Sequence, residues 1–280
     1  MAIDLVTKFQ PYTDEMFKAE SKKYLLTNQD FDWTGAHTVK VYKITSSDMN
    51  DYGRTGPEER NWSRYGAVDT LDATTEEMTL TKDRSFTFAI DKLDEDETAE
   101  QLAAASALAR QIREKVIPEV DTYTYGVMCT KAGNKPTAAT LTADNIYDEI
   151  LKGSEALDNA EAPETNRVLL VTPASYSLMK KSADIVLETD VGQEMRLRGV
   201  IGMLDGLSVI KVPANRLPSA FGFLLAHPSA TVAPTKLEEY NVHINPPGIS
   251  GSLVEGRVCY DAFVLDNKKN CLYYQAVTTG

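Results

Sequence analysis

Tyr176 and Lys180 in YSLMK have the Tyr-x-x-x-Lys spacing in which a lysine lowers a tyrosine pKa for hydride-transfer chemistry. An oxidoreductase of that kind also needs a Gly-rich nucleotide turn after an early strand, and the chain has none. The ordinary reading is an amphipathic helix with one aromatic anchor. TPASYS around Ser175 lacks the flanking glycines of a nucleophile elbow. GRTGPE, 53 to 58, lacks the Lys-Ser/Thr of a phosphate loop and reads as a turn. His37, His227 and His243 stand alone, without metal-ligand spacing. Cys129, Cys259 and Cys271 form no C-x-x-C pair, which suggests reduced thiols in a cytosolic setting. Cys259 and Cys271 could face each other across a hairpin, although small core hydrophobes is the plainer reading. No catalytic residue, cofactor or metal is expected.

One further cluster has chemical potential. Arg54, Arg60 and Arg64 lie among Tyr52, Trp62 and Tyr65, a composition that suggests nucleic acid. The same stretch holds Asp48, Asp51, Glu58, Glu59 and Asp69, so a mixed-charge contact loop is the better reading. The formal charge of −12 agrees, because gripping a phosphate backbone needs Lys and Arg to displace counterions. A length of 280 residues suits about two domains, and 42% hydrophobic with 25% charged residues is a globular composition. No apolar run approaches the ~20 residues of a membrane span. MAIDLVTKFQPYTDEMF lacks the apolar core of a secretory signal, so a soluble chain inside a cell is expected.

The elements that hold these residues follow from periodicity. Residues 1–36 are mixed, with a short helical candidate near Thr13–Lys23, and read as an extended arm lying on something else. HTVKVYKIT, 37 to 45, suits a strand. Its return partner is EEMTLTKDRSFTFAID, 76 to 91, where Met78, Leu80, Phe86, Phe88 and Ile90 share one parity, interrupted by Lys82 and Arg84. A two-stranded ribbon is marginal alone, and a connection beyond ~15 residues is functional, disordered or ordered by a partner. The ribbon and its aromatic tip are therefore expected to pack on another subunit through Tyr52, Arg54, Arg60, Trp62, Arg64, Tyr65, Lys82 and Arg84.

DEDETAEQLAAASALARQIREKVIPEVDTYTYGVM, from 94, predicts a long helix. Acids gather at its start, where the dipole favours them, and either Thr98 with Gln101 or Asp94 with Glu97 forms a capping box. Leu102, Ala105, Ala109, Ile112, Val116, Val120, Tyr123 and Val127 form a slim stripe. Pro118 should kink or split it. After a turn-rich boundary at 130–142, helix 144–157, strand 167–172, a helix capped by Thr172 with Pro173 at its first position, and strands DGLSVIKVP, FGFLLAHP and LEEYNVHI form one compact domain. SLVEGRVCYDAFVLDNKKNCLYYQAV reads as a hairpin turning at DNKKN.

NDYGRTG, TLTKDRSFTFAIDK, VIPEVDTYTYGVM, LLVTPASYSLMKKS, MLDGLSVIKVP and GRVCYDAFVLDNKKNCLYY, together with the order of elements, resemble major capsid proteins of tailed bacteriophages or prophages with the HK97-type fold. The resemblance implies an α+β chain. Its parts would be an N-terminal arm (1–36), an extended β-hairpin E-loop (37–91), a spine-helix peripheral domain (92–139), a compact α/β axial domain (140–245) and a C-terminal hairpin returning to the peripheral domain (246–280). It implies self-assembly into hexamers and pentamers of an icosahedral shell around double-stranded DNA. A portal and a separate scaffolding protein would be partners, without sequence-specific DNA binding or a membrane. Assembly would occur in the host cytoplasm and the product would be a virion capsid. The arm starts almost at Met1, so a cleaved scaffolding segment is not expected. Lys40, Lys43 and Lys82 are isopeptide candidates, but none is matched residue by residue to the family's crosslinking lysine, and the bond is not predicted. An encapsulin-like compartment shell is the alternative, and an oxidoreductase using Tyr176 and Lys180 the remote one.

Overall fold

The computed structural model describes residues 21–31, 38–44, 46–56, 63–66, 70, 73–97, 104–183, 185 and 200–278. The β-branched run after residue 37 forms β1, Thr38–Ile44. It pairs antiparallel with β2, Ala73–Thr79, and among the described residues no other strand joins that two-stranded sheet. Lys40 faces Glu77, Lys43 reaches Glu76 at 3.2 Å, and the Thr38 and Thr79 hydroxyls meet at 2.9 Å.

The expected single strand over 76–91 is two strands. β3, Lys82–Asp91, belongs to a different sheet from β2. The break has a local cause: the Thr81 N–H and hydroxyl both donate to the Asp261 carboxylate, at 2.7 and 2.8 Å, so the ribbon's ladder cannot run on. By contact, residues 33–80 form one compact unit and the rest of the chain another.

In the larger unit, α1, Lys92–Glu97, starts at once after β3. Its cap is Asp91, whose Oδ1 accepts from the Leu93 N–H at 2.8 Å, and not the Asp94–Glu97 box, since Asp94 is already helical. Thr98 and Gln101 lie outside the described residues, as does most of the Thr13–Lys23 helical candidate; a 3₁₀ turn, Lys23–Leu25, begins at its last residue. α2, Ala104–Gln111, continues through a π turn, Ile112–Val116, into α3, Ile117–Lys131. Helical dihedrals at Gln111, Val116 and Ile117 make this one unbroken helix. Pro118 does not split it; the π turn directly ahead accommodates a ring with no N–H to give.

Next come α4, Ile146–Asn159, β4, Val168–Val171, and α5, Pro173–Lys181. The Thr172 side chain caps α5 by accepting from the Ser175 N–H at 3.0 Å, with Pro173 at the first position as expected. β5, Val200–Leu204, β6, Leu207–Lys211, β7, Phe221–Ala226, and the short β8, Thr231–Val232, follow. β9, Thr235–Ile244, β10, Gly251–Tyr260, β11, Phe263–Val264, and β12, Leu272–Ala276, complete the chain. β12-β7-β4-β6-β5 form a five-stranded mixed sheet in which only β4 and β6 are parallel. β3-β10-β9 form a second, antiparallel sheet, and β11 pairs with β8.

Two expectations are corrected here. LEEYNVHI leaves the compact domain and joins β10, and the terminal hairpin does not form, because β10 and β12 go to different sheets. Between them Asp266–Cys271 is a 3₁₀ turn. Burial explains the split: Val254, Val258 and Tyr260 pack under α2 and the start of α3, whereas Leu272 and Tyr273 enter the cores on either face of the five-stranded sheet. Gly251 begins β10 at φ +137°, where a Cβ would lie 2.1 Å from the Ile90 carbonyl oxygen.

The long helix spans both sheets. Leu108, Ile112, Ile117 and Val120 cover the three-stranded sheet, and Tyr125, Met128 and Cys129 cover one face of the five-stranded sheet. α4 and α5 cover its other face through Ile146, Ile150, Leu157 and Met179. Residues 21–28 lie along α3: Leu26 is buried beside Tyr125 and Met128, and the Asn28 N–H donates to the Thr231 carbonyl at 2.7 Å. This described end of the arm therefore lies on its own chain.

Candidate assembly interface

The smaller unit carries the tip residues. The Gly53 N–H donates to the Arg64 carbonyl at 2.9 Å, which closes the two sides of the connection. Tyr52 and Tyr65 then meet edge to face, with centroids 5.0 Å apart. The sequence expectation thus brings Tyr52, Arg54, Arg64 and Tyr65 into one loop; Arg60 and Trp62 lie outside the described residues. The loop and ribbon expose large apolar groups: Met49 at 99%, Tyr65 at 77% and Tyr42 at 72%. Isolated exposed apolar residues need no explanation, but several on one marginal ribbon do.

Lys82 and Arg84 sit on β3, in the larger unit. Lys82 Nζ lies 5.1 Å from the Tyr123 ring centroid, and Arg84 Nε donates to Glu119 Oε1 at 2.7 Å. Both contacts are within the chain and tie β3 to α3. Glu119 Oε1 also accepts from the Tyr260 hydroxyl at 3.1 Å, and Tyr123 and Tyr260 meet edge to face at 5.7 Å. Burial, reinforced by Glu119, holds the Tyr260 hydroxyl well above its ordinary pKa. Burial and then Asp261 also raise the pKa of Tyr123.

Asp261 is the centre of this arrangement, and sequence reasoning missed it. Its carboxylate accepts four hydrogen bonds: two from Thr81, one from the Tyr123 hydroxyl at 2.8 Å and one from the Ala262 N–H at 2.8 Å. It therefore joins the first residue after the ribbon to α3 and to the end of β10. The available signal was an acid set between Tyr260 and the apolar Ala262–Phe263–Val264 of CYDAFV. Asp121 is a second such group, 1% exposed in α3; it accepts from Ser21 Oγ at 2.7 Å and from Arg216 at 3.0 Å.

The groups that suggested chemistry are otherwise engaged. Lys180 Nζ stands over the Tyr176 ring, 5.5 Å from its centroid, and not beside the hydroxyl. Ser175 Oγ donates to the Gly222 carbonyl at 2.7 Å. His227 Nδ1 meets Ser229 Oγ at 2.7 Å two residues on, and His243 lies 3.3 Å from Glu255. His37 lies outside the described residues. Among the described residues no three His, Cys, Asp or Glu converge as a metal site. No helix among them is long and apolar enough to cross a membrane. The three thiols are free, and burial pushes that of Cys129 up to about 12.

The model of a family described as phage capsid protein matches residues 73–256, more than half of the chain. No curated protein matches the sequence. Among solved structures, the chain resembles that of Mycobacterium phage Che8, at 19% identity over 91% of this chain and 90% of that one, with a TM-score of 0.64. It also resembles the capsid of the cyanophage P-SCSP1u, at 12% identity over 94% and 89%, with a TM-score of 0.70. A virus-like particle from Pyrococcus furiosus is similar at 10% identity over 96% and 98%, with a TM-score of 0.58. At these identities the likeness is one of fold, and the fold is of the HK97 type.

Proposed function

The chain belongs to the phage capsid protein family, and from that premise we propose that its copies assemble as hexamers and pentamers into an icosahedral shell that encloses double-stranded DNA. The observation that carries the reading is the ribbon of residues 33–80, a two-stranded sheet with a long connection and exposed aromatic groups. Each such ring removed from water at a subunit contact contributes on the order of 2 kcal/mol before the cost of ordering. A shell repeats that gain at every subunit, so modest contacts suffice. The eight residues Tyr52, Arg54, Arg60, Trp62, Arg64, Tyr65, Lys82 and Arg84 remain the proposed contacts with neighbours.

In this reading the parts of the chain take the family's roles. Residues 1–36 are the arm, the ribbon unit is the E-loop, the α2–α3 helix and the β3-β10-β9 sheet form the peripheral domain, and the five-stranded sheet with α4 and α5 forms the axial domain. The net charge of −12 suits a container that must not adhere to its genome. A portal and a separate scaffolding protein would direct closure in the host cytoplasm.

Imaging of the purified chain by negative stain tests this. Capsomers, closed shells or tubes are expected, and a compact monomer at high concentration would overturn it. Particles filled with a cargo protein and free of DNA would instead support the compartment reading.

A further inference from the structure

The chain carries 41 acidic and 29 basic residues, yet two segments far apart in it meet at a place where lysine predominates. One is TKAGNKPTAA, 130 to 139, where α3 ends; the other is DNKKNC, the 3₁₀ turn Asp266–Cys271. The Gly133 N–H donates to the Lys269 carbonyl at 2.8 Å, and Asn134 Nδ2 to the Asn270 carbonyl at 2.7 Å. Asn134 also bridges to Tyr273 and Ala139 to Val277, so the first segment runs beside β12. Gly133 permits the close approach, since a Cβ there would stand 2.3 Å from Asn270 Oδ1.

Lys131, Lys135, Lys268 and Lys269 each lie within two residues of the Gly133–Lys269 bond, and all four are exposed. The two segments contain one acid, Asp266. Among the described residues no ion pair joins any of the four lysines to a carboxylate. Lys135 Nζ donates to the Thr130 carbonyl at 2.9 Å, a neutral partner that leaves its charge in place. The negative end of the α3 dipole, about half a charge, favours Lys131 and Lys135, but the two lysines of the turn come from another element. None of the large apolar residues that the chain exposes lies in either segment.

We propose that the Lys131–Lys135–Lys268–Lys269 patch is a sequence-independent contact for the phosphate backbone of the double-stranded DNA inside the shell. Composition decides between this partner and a second copy of the chain. Interfaces between proteins are built round apolar and aromatic anchors and are poor in lysine, and the arginine fork is what suits carboxylates there. Neither segment contains an arginine or an aromatic residue. Phosphates need only the hydrated point charges of lysine, because the gain is the release of counterions condensed on the duplex. The net charge of −12 does not oppose this at close range, since screening confines general repulsion and local attraction alike to about 8 Å at physiological salt. Four charges per copy hold weakly, so the genome is touched and not gripped. The inference rests on the reading of the shell as a container for DNA.

The test is fluorescence anisotropy of a short labelled DNA duplex titrated with the purified full chain. Binding at low salt is expected, equal for two duplexes of unrelated sequence. Its affinity should fall on the order of a hundredfold between about 50 and about 200 mM salt, as four phosphate contacts predict. The variant Lys131→Gln/Lys135→Gln/Lys268→Gln/Lys269→Gln should keep its melting temperature and lose most of that affinity. Each segment's pair of substitutions alone should remove about half of the salt dependence, and a pair that removes none would overturn the two-segment patch. A control with the same charge change at exposed lysines elsewhere, Lys115→Gln/Lys180→Gln/Lys181→Gln/Lys211→Gln, should bind nearly as the wild type does. No binding at low salt, or an equal loss in the control, would overturn the patch and leave the shell reading to particle imaging. A patch variant that folds but no longer forms particles would assign these lysines to a contact between copies and also overturn it.

Discussion

At the scale of single residues, two buried carboxylates carry more of the fold than any catalytic-looking motif. Replacing Asp261 by Ala strands two Thr81 donors, the Tyr123 hydroxyl and the Ala262 N–H. The expected loss is about 2–4 kcal/mol by urea unfolding, against about 1 kcal/mol for Tyr123→Phe. Equal small effects would mean that the four bonds do not act together. Asp121 makes a pH prediction. Burial raises its pKa above the ordinary 3.8, outweighing the opposing effects of Ser21, Arg216 and Lys23. The folded state therefore holds that proton more tightly than the unfolded one, and the group's contribution is present below 3.8 and lost as pH rises through the folded value. The stability of the wild type relative to Asp121→Asn should fall as the pH rises from 3.8 through that higher folded value. A rise would show that the surrounding cations outweigh burial.

At the scale of elements, the long helix shows how one turn redirects a stripe. Its existence was legible from the spacing of apolar residues, but its buried face was only half legible. Leu108 and Ile112 are buried four apart; the next buried apolar position is Ile117, followed by Val120, Tyr125 and Met128. The expected positions Val116, Tyr123 and Val127 are only half-buried. The π turn inserts one extra residue and so shifts the register beyond it, although Val120 stays buried as expected. A continuous 3.6-residue period, which is all a sequence pattern contains, has no place for that residue. Deleting the exposed Lys115 should therefore rotate the helix halves by about 100° against each other and cost several kcal/mol or abolish folding. Lys115→Ala should stay within about 0.5 kcal/mol. Thermal unfolding of the two variants checks this, and a well-folded deletion would mean that the extra residue does not set the packing.

At the scale of the whole molecule, the unit of residues 33–80 and the remainder answer to different forces. Among its described residues the larger unit has three apolar cores built on two sheets, one shared helix and two further helices. The smaller has a two-stranded ribbon and an exposed loop. Deleting residues 48–72 should leave the far-UV spectrum and melting temperature of the larger unit nearly unchanged while blocking particle formation. Particles of normal size from that variant would show that the tip makes no essential subunit contact.

Local spacing and composition encode β1, the β6 and β7 strands, the Thr172–Pro173 start of α5, the α4 helix and the order of parts that resembles a capsid subunit. Tertiary structure alone decided partnership. It cut the 76–91 run at Thr81, moved β9 to the sheet of β10, and sent β12 away from its expected hairpin mate. Each of those strands is equally regular in either pairing. The choice among pairings depends on which apolar face finds a helix to cover it and which buried acid collects the stray donors. Those are contacts between residues far apart in the chain, as in the 180-residue separation of Thr81 and Asp261, and no local period records them.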